Sequence, residues 1–542
     1  MPGKLALCDS LLMVRRVRLP DGRATPPCAL VLARGRLVTT CSVRQSRAWR
    51  TRSTRVYDLR TRVVTAGLTD CHTHFLYWAL NRALVIDLAA LHTRDSVLRH
   101  LDKRQRRCRV GQWVVATGFD PNRAGGWPTA RDLDRVVPDA PAVVYTRDNH
   151  SAWLNTAAMK QLGIGRDTPE PVGGRIERDA DGQPTGILKE RALDLVPDPV
   201  RELALRTDDR SVSATQRALL EAAAVARSFG LTAVHSMDDG PSLAHFQRAR
   251  LTGHLGLRVV HAVQLRDLDS AVALGLRSGF GDEWLRLGGL KIFSDGALGS
   301  QTAYMFDDYP GRPGYRGEPV VAGDALREAV RRATMAGWAV WVHAIGDRAV
   351  SETIDAIASV KPARGLPVPH RIEHAQCVRP RDARRMARLG IIASVQPCHI
   401  PGDIATAERH WPTARRFAFP LRTLAQAGVT LAAGSDVPVE TIDPRRSLWA
   451  ATCRTDDAGQ PAGGWFPSQR LTLAEALAAF TTGAARAEGR GPDLFSPGAR
   501  ADFTLWDEDP FDVTSADLRA VPVAGCVIDG RVFLGAAQEP LP

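Results

Sequence analysis

The sequence predicts a parallel (β/α)8 barrel of the TIM type, with a β domain built from both termini and an insertion after the first barrel strand. Three observations carry this prediction. Eight apolar, strand-like runs alternate with amphipathic helical patterns, as in a parallel sheet covered by helices. Short strand-like runs recur at both ends of the chain. A stretch too long for one crossover helix follows the first barrel strand.

The two ends of the chain share a pattern of short strands separated by turns. Near the N-terminus, apolar runs such as CALVLARGRLVTT lie beside the turn signals Pro20-Asp21-Gly22 and Gly35. Near the C-terminus, ADFTLWDEDP and PVAGCVIDGRVFLG repeat this pattern. We therefore expect residues 1–62 and 490–542 to form one composite β domain.

Residues 63–489 supply the barrel. Amphipathic patterns such as residues 323–337 and 380–390 separate its apolar runs and predict covering helices. Eight strand–helix units that close on themselves make a (β/α)8 barrel. The predicted strands lie at residues 63–75, 231–238, 257–265, 287–296, 338–347, 370–376, 391–397 and 429–439.

Residues 85–215 separate the first two barrel strands and must fold as an inserted subdomain, because structureless loops of this length are rare. The segment contains strand-like runs of its own, WVVATGF and AVVYTRD. An excursion after a barrel strand leaves from the C-terminal face of the barrel, where active sites lie. We expect it to cover the pocket and shape the substrate.

Composition and charge exclude several classes of protein. With 44% hydrophobic and 24% charged residues, the chain is typical of globular proteins and not of disordered ones. The net charge is +12, but no Lys/Arg block or aromatic platform indicates nucleic-acid binding. No run of 18 apolar residues free of charge predicts a membrane helix, and no secretory signal is expected. Nine cysteines without a CxxC pair indicate reduced thiols and a cytoplasmic location.

Polar residues interrupt the apolar runs near the ends of five predicted strands. His72 and His74 end the first, and residues two apart in a strand project to one face. Each residue alone has a structural reading, as a buried histidine bonded to a carbonyl or an aspartate that caps a helix. Their shared position at the C-terminal rim of the barrel favours a common site. The further members are Lys291 in the fourth strand, His343 in the fifth, His374 in the sixth and Asp436 in the eighth.

These residue types suit a divalent metal centre. Imidazoles and carboxylates are ligands for Zn²⁺, and four histidines with one aspartate could hold two ions. Two cations so close need a bridging anion. Lys291, one of only six lysines among 71 basic residues, could supply it if carbon dioxide converts its amine to a carbamate. A water shared by both ions would have a lowered pKa and supply hydroxide, and Asp436 would carry its proton to the leaving nitrogen.

The strand motifs resemble those of the amidohydrolase superfamily, in the amidohydrolase-3 branch that includes N-substituted formamide deformylase. The motifs that carry the resemblance are TAGLTDCHTHF, LKIFSDGALGSQTA, VWVHAIGDRAV, RIEHAQCVRPRDARRMARLGIIASVQPCH and LAAGSDVPVE. The similarity covers nearly the whole chain and includes FSPGARADFTLWDEDP, which is similar to the return strand of a flanking urease-like β-sandwich. These motifs are specific for the branch and much less so for a substrate.

The resemblance implies a role for each candidate residue. It makes His72 and His74 ligands of the more buried metal, and His343 and His374 ligands of the second. It makes Asp436 both a ligand and the catalytic acid–base. Lys291 becomes the carbamate bridge between two zinc ions. In some relatives a glutamate bridges instead, which leaves Glu190 as the alternative, and some members use one metal only.

Four further residues are candidates for substrate binding. His150 lies in a segment of the insertion, TRDNHSAWLN, that resembles a recurring segment of the family, and it could bond a substrate carbonyl or only pin the insertion to the barrel. Ser300 follows the fourth strand in a loop with Gly296 and Gly299. Gln396 and His399 lie just after the seventh strand.

The function expected from the sequence is hydrolysis of a C–N bond, other than a peptide bond, in an amide, N-substituted formamide or cyclic amide. Zinc with a lysine carbamate is the expected cofactor, and the expected partners are a small-molecule amide substrate and a second copy of the chain in a homodimer. The alternative is a non-catalytic regulatory or binding protein on the same scaffold. A full set of ligands argues against that alternative, since a degenerate scaffold is expected to lose at least one.

Overall fold

The structure is a computed structural model that describes residues 8–88, 90–105, 113–121, 124–146, 151–171, 174–206, 208–360 and 365–535. The chain forms two compact units. One comprises residues 1–76 and 220–542, and the other comprises residues 77–219. None of the helices in the described parts of the chain is long and apolar enough to cross a membrane.

Strands from both ends of the chain form one seven-stranded sheet in the first unit. The C-terminal strand β19 (Phe503–Trp506) pairs antiparallel with β4 (Arg55–Ala66), so that Phe503 lies opposite Ala66. Its apolar core includes Leu12, Leu30 and Phe503. The sheet has the order β21-β20-β19-β4-β1-β2-β3, with β1 at Ser10–Val17, β2 at Cys28–Ala33, β3 at Arg36–Ser42, β4 at Arg55–Ala66, β19 at Phe503–Trp506, β20 at Val523–Ile528 and β21 at Arg531–Leu534, and a short helix α1 at Val43–Ser46.

Eight parallel strands form the barrel of the same unit. Backbone hydrogen bonds between the ends of the first and last strands close it: the Asp436 amide donates to the His72 carbonyl at 2.7 Å, and the His74 amide to the Val437 carbonyl at 2.8 Å. The strands are β5 at Leu68–Thr73, β12 at Leu231–Ser236, β13 at Arg258–Gln264, β14 at Leu285–Phe293, β15 at Val340–Ala344, β16 at Arg371–His374, β17 at Ile392–Val395 and β18 at Leu431–Ala433.

The barrel and the terminal sheet confirm the predicted fold class. The predicted strand 63–75 is divided at Gly67, which joins β4 of the terminal sheet to β5 of the barrel. A Cβ at Gly67 would lie 2.4 Å from Oγ1 of Thr232, so only glycine fits where the chain passes between the two sheets.

Helices follow most barrel strands and cover the sheet. Their buried faces carry small and branched apolar residues, such as Leu326 and Val330 of the helix α10 (Gly323–Met335). The helices of this part of the chain are α7 at Asp209–Ser228, which begins in the second unit, α8 at Gly240–Leu251, α9 at Leu268–Ala273, α10 at Gly323–Met335, α11 at Asp347–Ala358, α12 at Pro380–Leu389, α13 at Ile400–His410, α14 at Leu421–Gln426, α15 at Pro444–Cys453, α16 at Leu473–Phe480 and α17 at Thr482–Ala487.

The barrel interior is filled by aromatic and charged side chains. Trp341 is completely buried, and its indole occupies the space above Gly288 and Gly289 of β14. A Cβ at either glycine would lie within 2.2 to 2.4 Å of the indole ring. The guanidinium of Arg371, also completely buried, lies 4.0 Å from the Trp341 ring centre. The glycine pair therefore makes room for a tryptophan–arginine stack inside the barrel.

The second unit has its own mixed sheet and its own apolar core on each face. Trp153 is completely buried in one core, and Leu188 lies in the other. The sheet has the order β10-β11-β9-β8-β7-β6, with β6 at Val85–Asp87, β7 at Val114–Phe119, β8 at Ala142–Thr146, β9 at Ser151–Leu154, β10 at Gly174–Arg178 and β11 at Pro184–Glu190. The helices are α2 at Phe75–Leu84, which begins in the first unit, α3 at Arg94–Gln105, α4 at Ala130–Asp134, α5 at Thr156–Leu162 and α6 at Pro199–Leu205.

Candidate metal centre

Three buried side chains from separate strand ends converge at the mouth of the barrel. His72 comes from β5, His374 from β16, and Asp436 follows β18. Each offers a ligand atom, and these atoms all lie within 4.8 Å of one another. His374 and Asp436 have positive φ angles, 69° and 60°, which non-glycine residues adopt at a cost in free energy. The backbone is therefore strained at the two residues whose side chains join His72 at the mouth of the barrel.

His74 and His399 approach the same carboxylate. Nε2 of His74 lies 3.5 Å from Oδ1 of Asp436, close to the 3.4 Å between that oxygen and Nε2 of His72. Nε2 of His399 lies 3.9 Å from Oδ2 of the same side chain. Three imidazoles thus face one carboxylate, and His74 and His399 are more exposed than His72.

His343 faces His374, with their ring centres 4.5 Å apart. Its Nε2 lies 3.0 Å from the Gly296 carbonyl, which can only accept a hydrogen bond. Nε2 therefore carries the proton, and Nδ1 is left as the atom able to bind an ion.

Lys291 extends from β14 into the same region and is almost completely buried. Its Nζ lies 4.7 Å from the ring centre of Phe293, a residue that is 40% exposed. Burial lowers the pKa of Lys291 to about 8, although the carboxylates of Glu373 and Asp436 oppose the shift. A lysine in this environment exists partly as the free amine near neutral pH.

The protonation states of the group match those of metal ligands. Burial, together with the charge of Lys291, lowers the pKa of His72 to about 4 and that of His343 to about 3. The pKa of His374 is also well below its usual value, first because of burial. Burial opposes ionisation of Asp436, but the imidazoles around it, His72 first, hold its pKa well below the usual range. Neutral imidazoles and an ionised carboxylate are the forms that bind divalent ions.

Glu373, Arg371 and Asp70 belong to the site but were not predicted from the sequence. Oε2 of Glu373 lies 2.6 Å from Nδ1 of His72, and Arg371 pairs with Glu373. Burial opposes ionisation of Glu373, yet Arg371 and His72 hold its pKa far below the usual range. Oδ1 of Asp70 accepts the backbone amides of His72 and Ser435, which fixes the ends of β5 and β18 together. Alternation along β16 would have placed Arg371 and Glu373 on one face.

The other predicted residues lie in different places. Gln396 is buried and donates to the Ser394 carbonyl at 3.3 Å, and Ser300 is exposed and bonded to Thr302. Glu190, the alternative bridge, is exposed at the end of β11 in the second unit. His150 lies outside the described residues.

Comparison with known proteins identifies the family. The model of the amidohydrolase family matches residues 55–533. The chain belongs to the amidohydrolase family. Its relatives include an N-substituted formamide deformylase of Arthrobacter pascens, 29% identical over 96% of this chain and 97% of the relative. The protein LONG AFTER FAR-RED 3 of Arabidopsis thaliana is 31% identical over 92% of this chain and 87% of its own.

A solved structure agrees with this assignment. An uncharacterised metal-dependent hydrolase from Pyrococcus furiosus has a TM-score of 0.76, with 26% identity over 92% of this chain and 99% of that chain. Family membership and this relative support a hydrolase that uses a divalent metal ion. The buried group of His72, His374 and Asp436 is a candidate site for it.

Proposed function

We propose that this amidohydrolase hydrolyses a C–N bond, other than a peptide bond, in an amide, N-substituted formamide or cyclic amide. The observation that carries the proposal is the convergence of His72, His374 and Asp436 within 4.8 Å at the barrel mouth. Support for the substrate class comes from the similarity to N-substituted formamide deformylase along nearly the whole chain.

The donor set fits a divalent ion such as zinc. His72 and His74 would bind one ion, each through Nε2. His343, through Nδ1, and His374 would bind a second ion, and Asp436 would bind one of the two. Such an ion supplies Lewis acidity, which lowers the pKa of a water molecule and polarises a carbonyl.

Lys291 is the proposed bridge: it would connect the two ions once its free amine had added to carbon dioxide and released a proton to give a carbamate. Support comes from its burial, from the effect of its charge on His72, His343 and His374, and from the partial free-amine form that attack on carbon dioxide requires. Glu190 remains the alternative bridge. Its exposed position at the end of β11 gives it none of the burial that favours Lys291.

Asp436 is the proposed proton carrier. Its carboxylate accepts a proton from the attacking water and passes it to the leaving nitrogen. His399 and Phe293 are proposed substrate contacts. Support comes from the 3.9 Å between Nε2 of His399 and Oδ2 of Asp436, and from the partial exposure of Phe293 beside His343. Gln396 and Ser300 remain proposed substrate contacts from their positions after the seventh and fourth barrel strands.

Elemental analysis combined with a substrate screen tests the proposal. We expect about two zinc ions per chain in protein purified without chelator, and hydrolysis of at least one N-substituted formamide, N-acyl amino acid or cyclic amide. His343→Ala and His374→Ala should each lower metal content and rate, whereas His254→Ala, a substitution between barrel strands, is the matched control. Full activity in metal-free protein would contradict the proposal.

A further inference from the structure

We propose that Glu373 is a positioning residue, held by Arg371, that fixes the tautomer and orientation of the His72 imidazole. The inference rests on the proposed role of His72 as a metal ligand and extends it to two residues that contact no substrate. It gives a function to Glu373 and Arg371, the two buried charged side chains that lie next to the proposed metal ligands inside the barrel.

Glu373 contacts the imidazole of His72 directly. Oε2 of Glu373 lies 2.6 Å from Nδ1 of His72, and both side chains are buried. A carboxylate can only accept a hydrogen bond, so Nδ1 must carry the proton. The lone pair of His72 is then on Nε2, which is the atom that faces Asp436 at 3.4 Å. Histidine ligands commonly use the second nitrogen in this way.

Arg371 holds the carboxylate of Glu373 in place. Nε of Arg371 lies 2.8 Å from Oε1, and Nη2 donates to Oε2 at 3.1 Å, so the guanidinium contacts both carboxylate oxygens. Nη2 also donates to the Cys71 carbonyl at 2.6 Å and to Oγ of Ser394 at 2.9 Å. Cys71 precedes His72 in β5. Arg371 therefore ties the carboxylate to the strand that carries the imidazole.

Arg371 also contacts His235 through its remaining terminal nitrogen. Its Nη1 lies 2.8 Å from Nδ1 of His235, and Nε2 of His235 lies 3.5 Å from Oε1 of Glu488. Glu488 pairs in turn with Arg490 and Arg500. Buried ions cost desolvation free energy, and replacement by apolar residues is often neutral or stabilising. Stability alone therefore does not account for these charged groups, and their role in fixing the position of the His72 ring gives a reason for their presence in the barrel interior.

Measurement of zinc affinity distinguishes a positioning role of Glu373 from a merely structural one. We expect Glu373→Gln to weaken zinc binding about 10- to 100-fold, the range typical of such outer contacts, with zinc measured by competition against a chromophoric chelator. Glu488→Gln is the matched control, since it removes an equally buried carboxylate from the same chain of contacts without touching His72. Thermal unfolding of each metal-free variant reports stability separately.

The outcomes distinguish this inference from the proposed function. If wild-type protein binds no zinc, the proposed function fails. If wild-type protein binds zinc and Glu373→Gln binds it equally well, or if both variants lose affinity in proportion to stability, the positioning role is overturned.

A second measurement does not depend on the folding of the Glu373 variant. In metal-free protein labelled with ¹⁵N-histidine, the His72 ring signals, assigned by their loss in His72→Gln, should show a protonated Nδ1 and a bare Nε2. The opposite tautomer would overturn the inference whether or not zinc binds.

Discussion

At the scale of single residues, Asp436 combines two tasks that a substitution can separate. Asp436→Asn retains an oxygen able to bind an ion, but it cannot accept a proton. We expect a folded protein that keeps much of its metal and loses about 10²- to 10⁴-fold in kcat, the usual contribution of general acid–base catalysis. Steady-state kinetics with metal analysis on the same sample checks this. Turnover equal to the wild type would exclude the proton-carrying role.

Burial of the Lys291 amine at the site lowers the free energy of unfolding near neutral pH. Its pKa is lowered from 10.5 to about 8, mainly by burial, so the folded state holds the charged amine less well than the unfolded state does. The stability associated with this group is present above pH 10.5 and is lost as pH falls toward 8. We expect metal-free Lys291→Met to be more stable than wild type at pH 7 by about 1–3 kcal/mol.

The pH dependence provides the check on Lys291. Chemical denaturation in buffer depleted of carbon dioxide should show the advantage of Lys291→Met shrinking between pH 8 and 10.5, as the wild-type amine loses its proton in both states. A constant difference across this range would place the cause in packing instead of charge.

The sequence predicted the residues that interrupt strand ends but not those behind them. His72, His74, His343, His374, Asp436 and Lys291 stand out because each is polar near the end of an apolar run, and the structure brings them to one mouth. Arg371 and Glu373 occupy a four-residue strand, too short for its pattern to show which face is interior. Asp70 acts through backbone amides of two strands that are distant in sequence, and no local pattern records that contact.

At the scale of elements, the glycine pair of β14 fixes the packing inside the barrel. A Cβ at Gly289 would lie 2.4 Å from Cδ1 of Trp341, a ring that cannot move without disturbing Arg371. We expect Gly289→Ala to lower the free energy of unfolding by about 1–3 kcal/mol through overpacking. Gly402→Ala in α13 is the matched control, because a Cβ there meets nothing within 4 Å. Equal denaturation midpoints for the two variants would show that the indole relocates without cost.

At the scale of the whole molecule, the repeated strand–helix pattern of the sequence predicted the fold class, but it did not predict where one sheet ends and the next begins. Eight apolar runs between helical patterns predict a barrel, since a parallel sheet must be buried on both faces, and closure buries one face inside while helices cover the other. The division at Gly67 was hidden because β4 and β5 read as one continuous apolar run. The steric requirement that separates them lies at Thr232, far along the chain.

Removal of the metal tests whether the ions are needed for catalysis only or also for the stability of the fold. The proposed ligands occupy the barrel mouth, whereas the apolar cores of the terminal sheet and of the second unit contain none of them. The buried charged groups from Glu488 to Glu373 pair with protein groups and not with the proposed ions. We therefore expect chelation to abolish hydrolysis while the far-ultraviolet circular dichroism stays close to native, with Tm lowered only by the linked loss of binding free energy. Unfolding of the whole chain on chelation would mean that the ions stabilise the fold as structural zinc does in small domains.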